Sequence, residues 1–213
     1  MKIKYKTYWR KTGLKKEWGD IFLKTVAEYK PKHFFEIGVF CGVTARNVCE
    51  LLKNIHGDEF KYTGIDLFGD KSNNVDEKQP GYLENKKFPN PLKNIYYNYL
   101  KKEDLNSKES VTNFLKKFSK NVRLFKGNSN YLLKNIDINT VDFTFLDGGH
   151  SFETTLNDLD YVLKNMKKNR IVLCDDYAGE FSISGVKKAI DKHVQEKKLK
   201  IEVIKDRFAK IIT

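Results

Sequence analysis

FTFLDGGHSFE, residues 143–153, decides how the chain is read. An apolar run stops at Asp147, passes through Gly148-Gly149, and delivers His150 and then Glu153. A strand buried on both faces reads as such a continuous apolar run. In open sheets of parallel strands, ligands bind beyond the strands' carboxyl ends. An acid and an imidazole at that place therefore mark a site.

Working outward, apolar runs alternate with segments of helical spacing. HFFEIG (33–38), FKYTGID (60–66), NVRLFKG (121–127), VDFTFLD (141–147) and RIVLCDD (170–176) read as strands. Residues 15–29, 43–54, 93–101, 107–119, 129–135, 153–166 and 183–197 read as helices between or beside them. KIEVI and FAKIIT close the chain as two strands joined only by Lys205-Asp206-Arg207, a link that permits a hairpin and no parallel crossover. The order predicts an α/β fold: a doubly wound, mostly parallel sheet of seven strands, helices on both faces, and an antiparallel strand at one edge. The 213 residues read as a single domain with an N-terminal helical segment over 1–30. Residues 67–92 are too long for a plain connector and read as a lid or binding loop.

Composition narrows the class. No run approaches the roughly 20 apolar residues of a membrane helix. The basic start MKIKYKTYWRKTG has no apolar stretch and is not a signal peptide. Cys41, Cys49 and Cys174 are odd in number and lack metal spacing, so they read as buried thiols of a cytoplasmic protein. The net charge of +12 suggests a polyanionic partner. Its lysines, however, are scattered over helix ends and outer faces, as at Lys116-Lys117 and Lys197-Lys198. A nucleic-acid partner is therefore not expected, an anionic small substrate stays open, and so does a homo-oligomer.

Four strand ends carry chemistry. After the first strand, Glu36, Gly38 and Gly42 form a tight turn into a helix; Phe40 stands where a dinucleotide fingerprint needs glycine. Glu36 there suits a cationic group, such as an amine, better than a phosphate. Asp66 closes the second strand, where an acid accepts hydrogen bonds from a ribose diol or simply caps a loop. Asn128 and Ser129 follow the third strand; they can read a purine edge, and Ser129 can cap the next helix. Asp147, Asp175 and Asp176 crowd two neighbouring strand ends, where unpaired carboxylates repel. A divalent cation, Mg²⁺ first, relieves this; an amine of cofactor or substrate is the competing occupant. His150 suits a general base for a hydroxyl proton, and Glu153 reads as a cap of the following helix.

Together these landmarks resemble the class I S-adenosylmethionine-dependent methyltransferases over about residues 30–213. They are most similar to bacterial small-molecule O-methyltransferases, including the macrocin type that methylates sugar hydroxyls. FLDGGHSFETTLNDL stands where that group has its IDG-x-H-x-Y-E motif, with Phe152 in place of tyrosine; Asp175-Asp176-Tyr177 matches its DDY, and Gly185-Val186 with Ala189-Ile190-Asp191 its following helix. The usual Pro-Gly-Gly before the fifth strand is replaced by Lys168-Asn169-Arg170. The resemblance implies a Rossmann-like methyltransferase fold. Glu36, Gly38 and Gly42 would line the methionine part of S-adenosylmethionine, Asp66 its ribose, and Asn128 and Ser129 its adenine, with Asp147 beside it. Asp147, Asp175 and Asp176 would bind the metal, and His150 with Asp147 would serve catalysis. The acceptor would be a small sugar, polyhydroxylated or phenolic molecule, covered by 67–92 with Tyr82 and Phe88 and by Tyr5, Tyr8 and Trp9.

Overall fold

The computed structural model describes residues 3–69, 88 and 90–213. Most of the expected 67–92 loop, Tyr82 included, lies outside them. Helix α1 (Lys16–Tyr29) precedes β1 (His33–Ile37), α2 (Val43–His56) and β2 (Lys61–Asp66). Residues 3–15 carry no helix, so the helical part of the N-terminal segment begins at Lys16. The expected helix over 93–101 is a single turn, α3 (Pro91–Asn94), that widens into a π-helix over Ile95–Lys101. Next come α4 (Lys108–Phe114), β3 (Val122–Lys126), α5 (Ser129–Leu132), β4 (Phe143–Leu146) and α6 (Phe152–Asn165). The chain ends with β5 (Ile171–Cys174), α7 (Ser184–Lys197), β6 (Ile201–Ile204) and β7 (Phe208–Ile212).

The seven strands form one sheet in the order β3-β2-β1-β4-β5-β7-β6. The first five are mutually parallel, and β7 pairs antiparallel with both β5 and β6. The antiparallel strand at that edge is thus β7, inserted between β5 and β6. β1 is central because its side chains are buried without exception. Alternation sorts them: Phe34 packs toward α1 and α2 with Phe22, Val48, Phe143 and Phe145, while Phe35 and Ile37 face Leu159, Val172 and Ile190 on the α6 and α7 side. Glu36 shares the face of Phe34. Two apolar layers therefore clamp the sheet and fix where the strand tips point.

Residues 3–15 strap across the first layer. The Tyr5 ring lies on Gly19 of α1, where a Cβ would collide with it, and its hydroxyl meets Thr12 and Thr44 Oγ1, each at 2.9 Å. Asn47 of α2 pairs with both main-chain groups of Lys6. Arg10 is buried and donates to the carbonyls of Cys41 and Leu105 and to Ser110 Oγ. Cys41, Cys49 and Cys174 are free and buried. No helix among the described residues is long and apolar enough to cross a membrane.

Candidate active site at the strand tips

The sheet's switch point lies between β1 and β4, whose crossovers run to opposite sides. The expected site residues gather around it. Glu36 is 1% exposed and accepts a hydrogen bond from the Tyr62 hydroxyl. Its other oxygen is buried with no partner. Burial pushes its carboxyl up to about 8; the Tyr62 bond opposes this and Asp66 adds to it.

Gly38 has φ of +99°, and a Cβ there would land on the carbonyl oxygen of Asp147. That contact is why glycine is needed: the β1 turn touches the β4 turn directly. Phe40 adopts the left-handed conformation at φ +50° and donates its N–H to Asp66 Oδ2 at 2.8 Å. Phe68, also left-handed, donates to Asp66 Oδ1 at 2.6 Å. Asp66 therefore shapes the first loop with both oxygens. Burial raises its pKa, and these main-chain bonds oppose the shift. Each carboxylate oxygen still has a second lone pair for a ligand hydroxyl.

Gly42, at φ +74°, begins α2. Asn128 and Ser129 are both buried, but Asn128 is the one that caps α5, accepting from Asn130 N at 2.9 Å. At α6 the cap is Ser151, which accepts from Thr154 N at 3.1 Å; Glu153 sits in the first turn instead. In both places the residue just before the helix, still in extended backbone, turns its side-chain oxygen onto the free N–H groups, which a residue already inside the first turn is not placed to do.

The acids past β4 and β5 form a tighter group. Asp147, His150 and Asp176 each bring one ligand atom to within 4.8 Å of the others. His150 Nε2 lies 3.3 Å from Asp176 Oδ2, and its Nδ1 is buried without a partner. Asp176 holds a left-handed backbone at φ +54°, unusual for a residue with a Cβ. Burial, then Asp175 and Asp176, push the Asp147 carboxyl well above the ordinary carboxylate range, and Arg207 opposes them. Beside these residues a small, partly open crevice runs down between β4, β5 and the α6–α7 layer, past Thr155, Asp158 and Val186.

Asp175, expected beside them as a metal ligand, is engaged elsewhere. Arg207 Nε and Nη2 bind its two oxygens at 2.5 and 2.6 Å. Both side chains are almost wholly buried, and the guanidinium stacks over Phe181 at 4.2 Å. Sequence reading saw Arg207 only as part of a hairpin link. Its signal was chemical: it is one of five arginines among 40 basic residues, and arginine is the cation suited to buried bidentate pairing.

Of the aromatics expected to cover a substrate, Tyr5 is buried in the strap and Tyr8 packs edge-on to Phe114. Phe88 stacks on Tyr97 under Lys11. Among the described ones, Trp9, 43% exposed beside Tyr96, still presents its ring. Gly13 of the strap lies close to the site: a Cβ there would be 3.9 Å from Asp147 Oδ2.

Known proteins share this architecture. PaMTH1, a methyltransferase of Podospora anserina solved with SAH, is 14% identical over 93% of this chain and 78% of its own, with a TM-score of 0.62. The O-methyltransferase TomG of Streptomyces achromogenes, involved in tomaymycin synthesis and solved with SAM, is 12% identical over 94% and 81%, with a TM-score of 0.63. An O-methyltransferase of Bacillus cereus solved with SAH is 10% identical over 97% and 85%, with a TM-score of 0.62. At these identities the likeness establishes the fold. No curated protein matches the sequence. A family profile described as "Methyltransferase domain" matches residues 35–177, from the first site strand through the acid cluster. That match spans more than half of the chain, and the chain belongs to this methyltransferase family.

Proposed function

We propose that the protein transfers the methyl group of S-adenosylmethionine to a hydroxyl oxygen of a small molecule, with a divalent cation, Mg²⁺ foremost, at the acid cluster. The observation that carries this reading is the convergence of Asp147, His150 and Asp176 beside the β1 turn. TomG and the Bacillus cereus protein, O-methyltransferases of the same fold solved with SAM and SAH, support the cofactor and the oxygen acceptor.

The residues fit the cofactor. Glu36 offers a buried oxygen without a partner at the end that would receive the methionine part. Gly38 and Gly42 add no side chain at the two ends of the β1 turn, Asp66 has spare lone pairs toward a ribose, and Asn128 and Ser129 would flank the adenine. They also fit a cation. Asp147, Asp175 and Asp176 carry three carboxylates against a single guanidinium, a deficit that a divalent ion would fill. When bound, S-adenosylmethionine supplies an electrophilic methyl on a sulfonium, and a divalent ion supplies Lewis acidity toward an adjacent hydroxyl.

The chain's own groups do the rest. Asp147 and Asp176 would hold the ion, with oxygen donors suited to Mg²⁺. With Nε2–H donating to Asp176 Oδ2, His150 keeps a lone pair on Nδ1 to take the hydroxyl proton. The acceptor oxygen must sit in line with the methyl at about 3 Å, so orientation is worth much of the rate. The strap at Gly13 and the ring of Trp9 would help to exclude water. A sugar, polyhydroxylated or phenolic acceptor suits such a site.

The test is calorimetric titration with S-adenosylmethionine, followed by methyl transfer from labelled cofactor to a panel of sugar and phenolic hydroxyls with Mg²⁺ or EDTA. A cofactor at 100 times its Kd should stabilise the fold by about 2.7 kcal/mol. Absence of cofactor binding would overturn the reading. Activity indifferent to EDTA would remove the cation and keep the methyl transfer.

A further inference from the structure

The proposal concerns Asp175, and it rests on the reading of the strand tips as a cation site. We propose that Arg207 is a built-in counter-ion that takes Asp175 out of the cation's reach, leaving Asp147 and Asp176 as the carboxylate ligands. Arg207 is thus a positioning residue for the site.

Three observations support this. The guanidinium binds both Asp175 oxygens in the fork geometry that arginine makes with a carboxylate. Asp175 is 3% exposed and its Oδ1 also accepts the N–H of Asp176. A cation approaching from the crevice would have to displace a guanidinium packed over Phe181 and beside Trp18 and Phe208. The second observation is the charge count. With Asp175 and Arg207 cancelling each other, Asp147 and Asp176 would offer one divalent ion two negative charges, Asp147 giving up its proton as the ion binds. Mg²⁺ characteristically uses one or two protein carboxylates and keeps its waters. The third is topology. β7 runs antiparallel beside β5, so the start of β7 lies level with the end of β5, and the hairpin places Arg207 against the acids. Tyr177 and Ala178 donate to the Arg207 carbonyl and pin the turn there.

The experiment compares Mn²⁺ binding, by calorimetry and by its electron paramagnetic resonance spectrum, in three proteins. These are the wild type, Arg207→Gln, and the double variant Asp175→Asn with Arg207→Gln. The double variant removes one charge of each sign and leaves the net charge of the cluster unchanged, so it isolates ligation. Its Mn²⁺ affinity and spectrum should match wild type within about threefold. Arg207→Gln alone frees Asp175 and should tighten Mn²⁺ by about tenfold or more, an effect that a merely structural arginine would not produce. If Arg207→Gln does not fold, the double variant decides alone. Loss of about tenfold or more in the double variant would show that Asp175 is a ligand and would overturn the proposal, as would unchanged affinity in folded Arg207→Gln. Mn²⁺ uptake by Arg207→Gln but not by wild type would uphold the role of Arg207 and discard the cation from the proposed function. Uptake by neither would overturn both.

Discussion

Asp66 closes β2 and Asp147 follows β4, so the two acids flank β1 on its opposite sides. The fold treats them differently. Asp66 is satisfied by the chain itself: the N–H groups of Phe40 and Phe68 bind its two oxygens, and the first loop is moulded around it. Asp147 faces two more carboxylates and depends on Arg207 for relief. A carboxylate held at both oxygens by main-chain donors, with a lone pair left on each, makes a rigid cradle, suited to holding a ligand in one place. A carboxylate among carboxylates makes an electrostatic deficit, suited to a cation and to a reaction. On the proposed function, binding and chemistry would separate onto the two sides of β1, which touch where Gly38 meets the Asp147 carbonyl.

The largest expected effect tests that separation directly. His150→Gln should lower kcat by about 10²- to 10⁴-fold, the usual range for a lost general base, while leaving the calorimetric affinity for S-adenosylmethionine unchanged. Asp66→Asn should do the reverse, weakening cofactor binding with kcat little altered. If either variant moved both quantities together, the division between the two sides would fail.

Next comes the stability of the acid side. Arg207→Met should cost about 3–5 kcal/mol in urea unfolding, because it strands a buried carboxylate. Adding Asp175→Asn should recover much of that loss. A cost below about 1 kcal/mol would mean that the pair behaves as a surface ion pair and that the contrast with Asp66 is overstated.

The fold was legible because its strands are short apolar runs and its helices carry 3.6-residue spacing; both are local signals. The positions of Glu36, Asp66, Asp147 and Asp176 followed from one rule about strand ends. What could not be read was pairing at distance. Arg207 meets Asp175 from 32 residues away and Tyr62 meets Glu36 from 26, and nothing local to either sequence stretch encodes the contact. The widening of 95–101 into a π-helix escaped for another reason: its spacing is close to that of an ordinary helix. The caps at Asn128 and Ser151 were misjudged by a residue or two, because several hydrogen-bonding side chains crowd each helix start.

Glu36 sharpens the comparison through pH. It lies at the tip of β1 with a single hydroxyl donor, and burial raises its carboxyl from 4.5 to about 8. Between these values the folded chain holds a proton that the unfolded chain has released. Stability from this group is therefore full below about 4.5 and is lost as pH rises toward 8. The loss over that span is on the order of 5 kcal/mol. Glu36→Gln keeps an acceptor for Tyr62 and has no proton to lose. Its urea midpoint should exceed that of wild type at the alkaline end and fall less steeply across the range, although Asp147, shifted in the same direction, keeps some slope in both proteins. Parallel curves would mean that Glu36 is already ionised and solvated in the fold.

The smallest effect belongs to Tyr5, which ties the strap to α1 and α2. Its hydroxyl joins Thr12 of the strap to Thr44 of α2, and its ring occupies the space that Gly19 leaves on α1. Tyr5→Phe keeps the ring and removes the hydroxyl, so about 1 kcal/mol of stability should go, the net value of a buried hydrogen bond. The more telling readout is where the loosening appears. Gly13, one residue past Thr12, lies over Asp147, whereas Asp66 is held by main-chain groups of 40 and 68 that the strap does not supply. Amide exchange in Tyr5→Phe should therefore quicken at residues 147–150 and stay unchanged at Phe40 and Phe68. Equal quickening at both would show that the strap braces the whole set of strand tips, and the independence of the two acids would then hold for their chemistry but not for their mechanics.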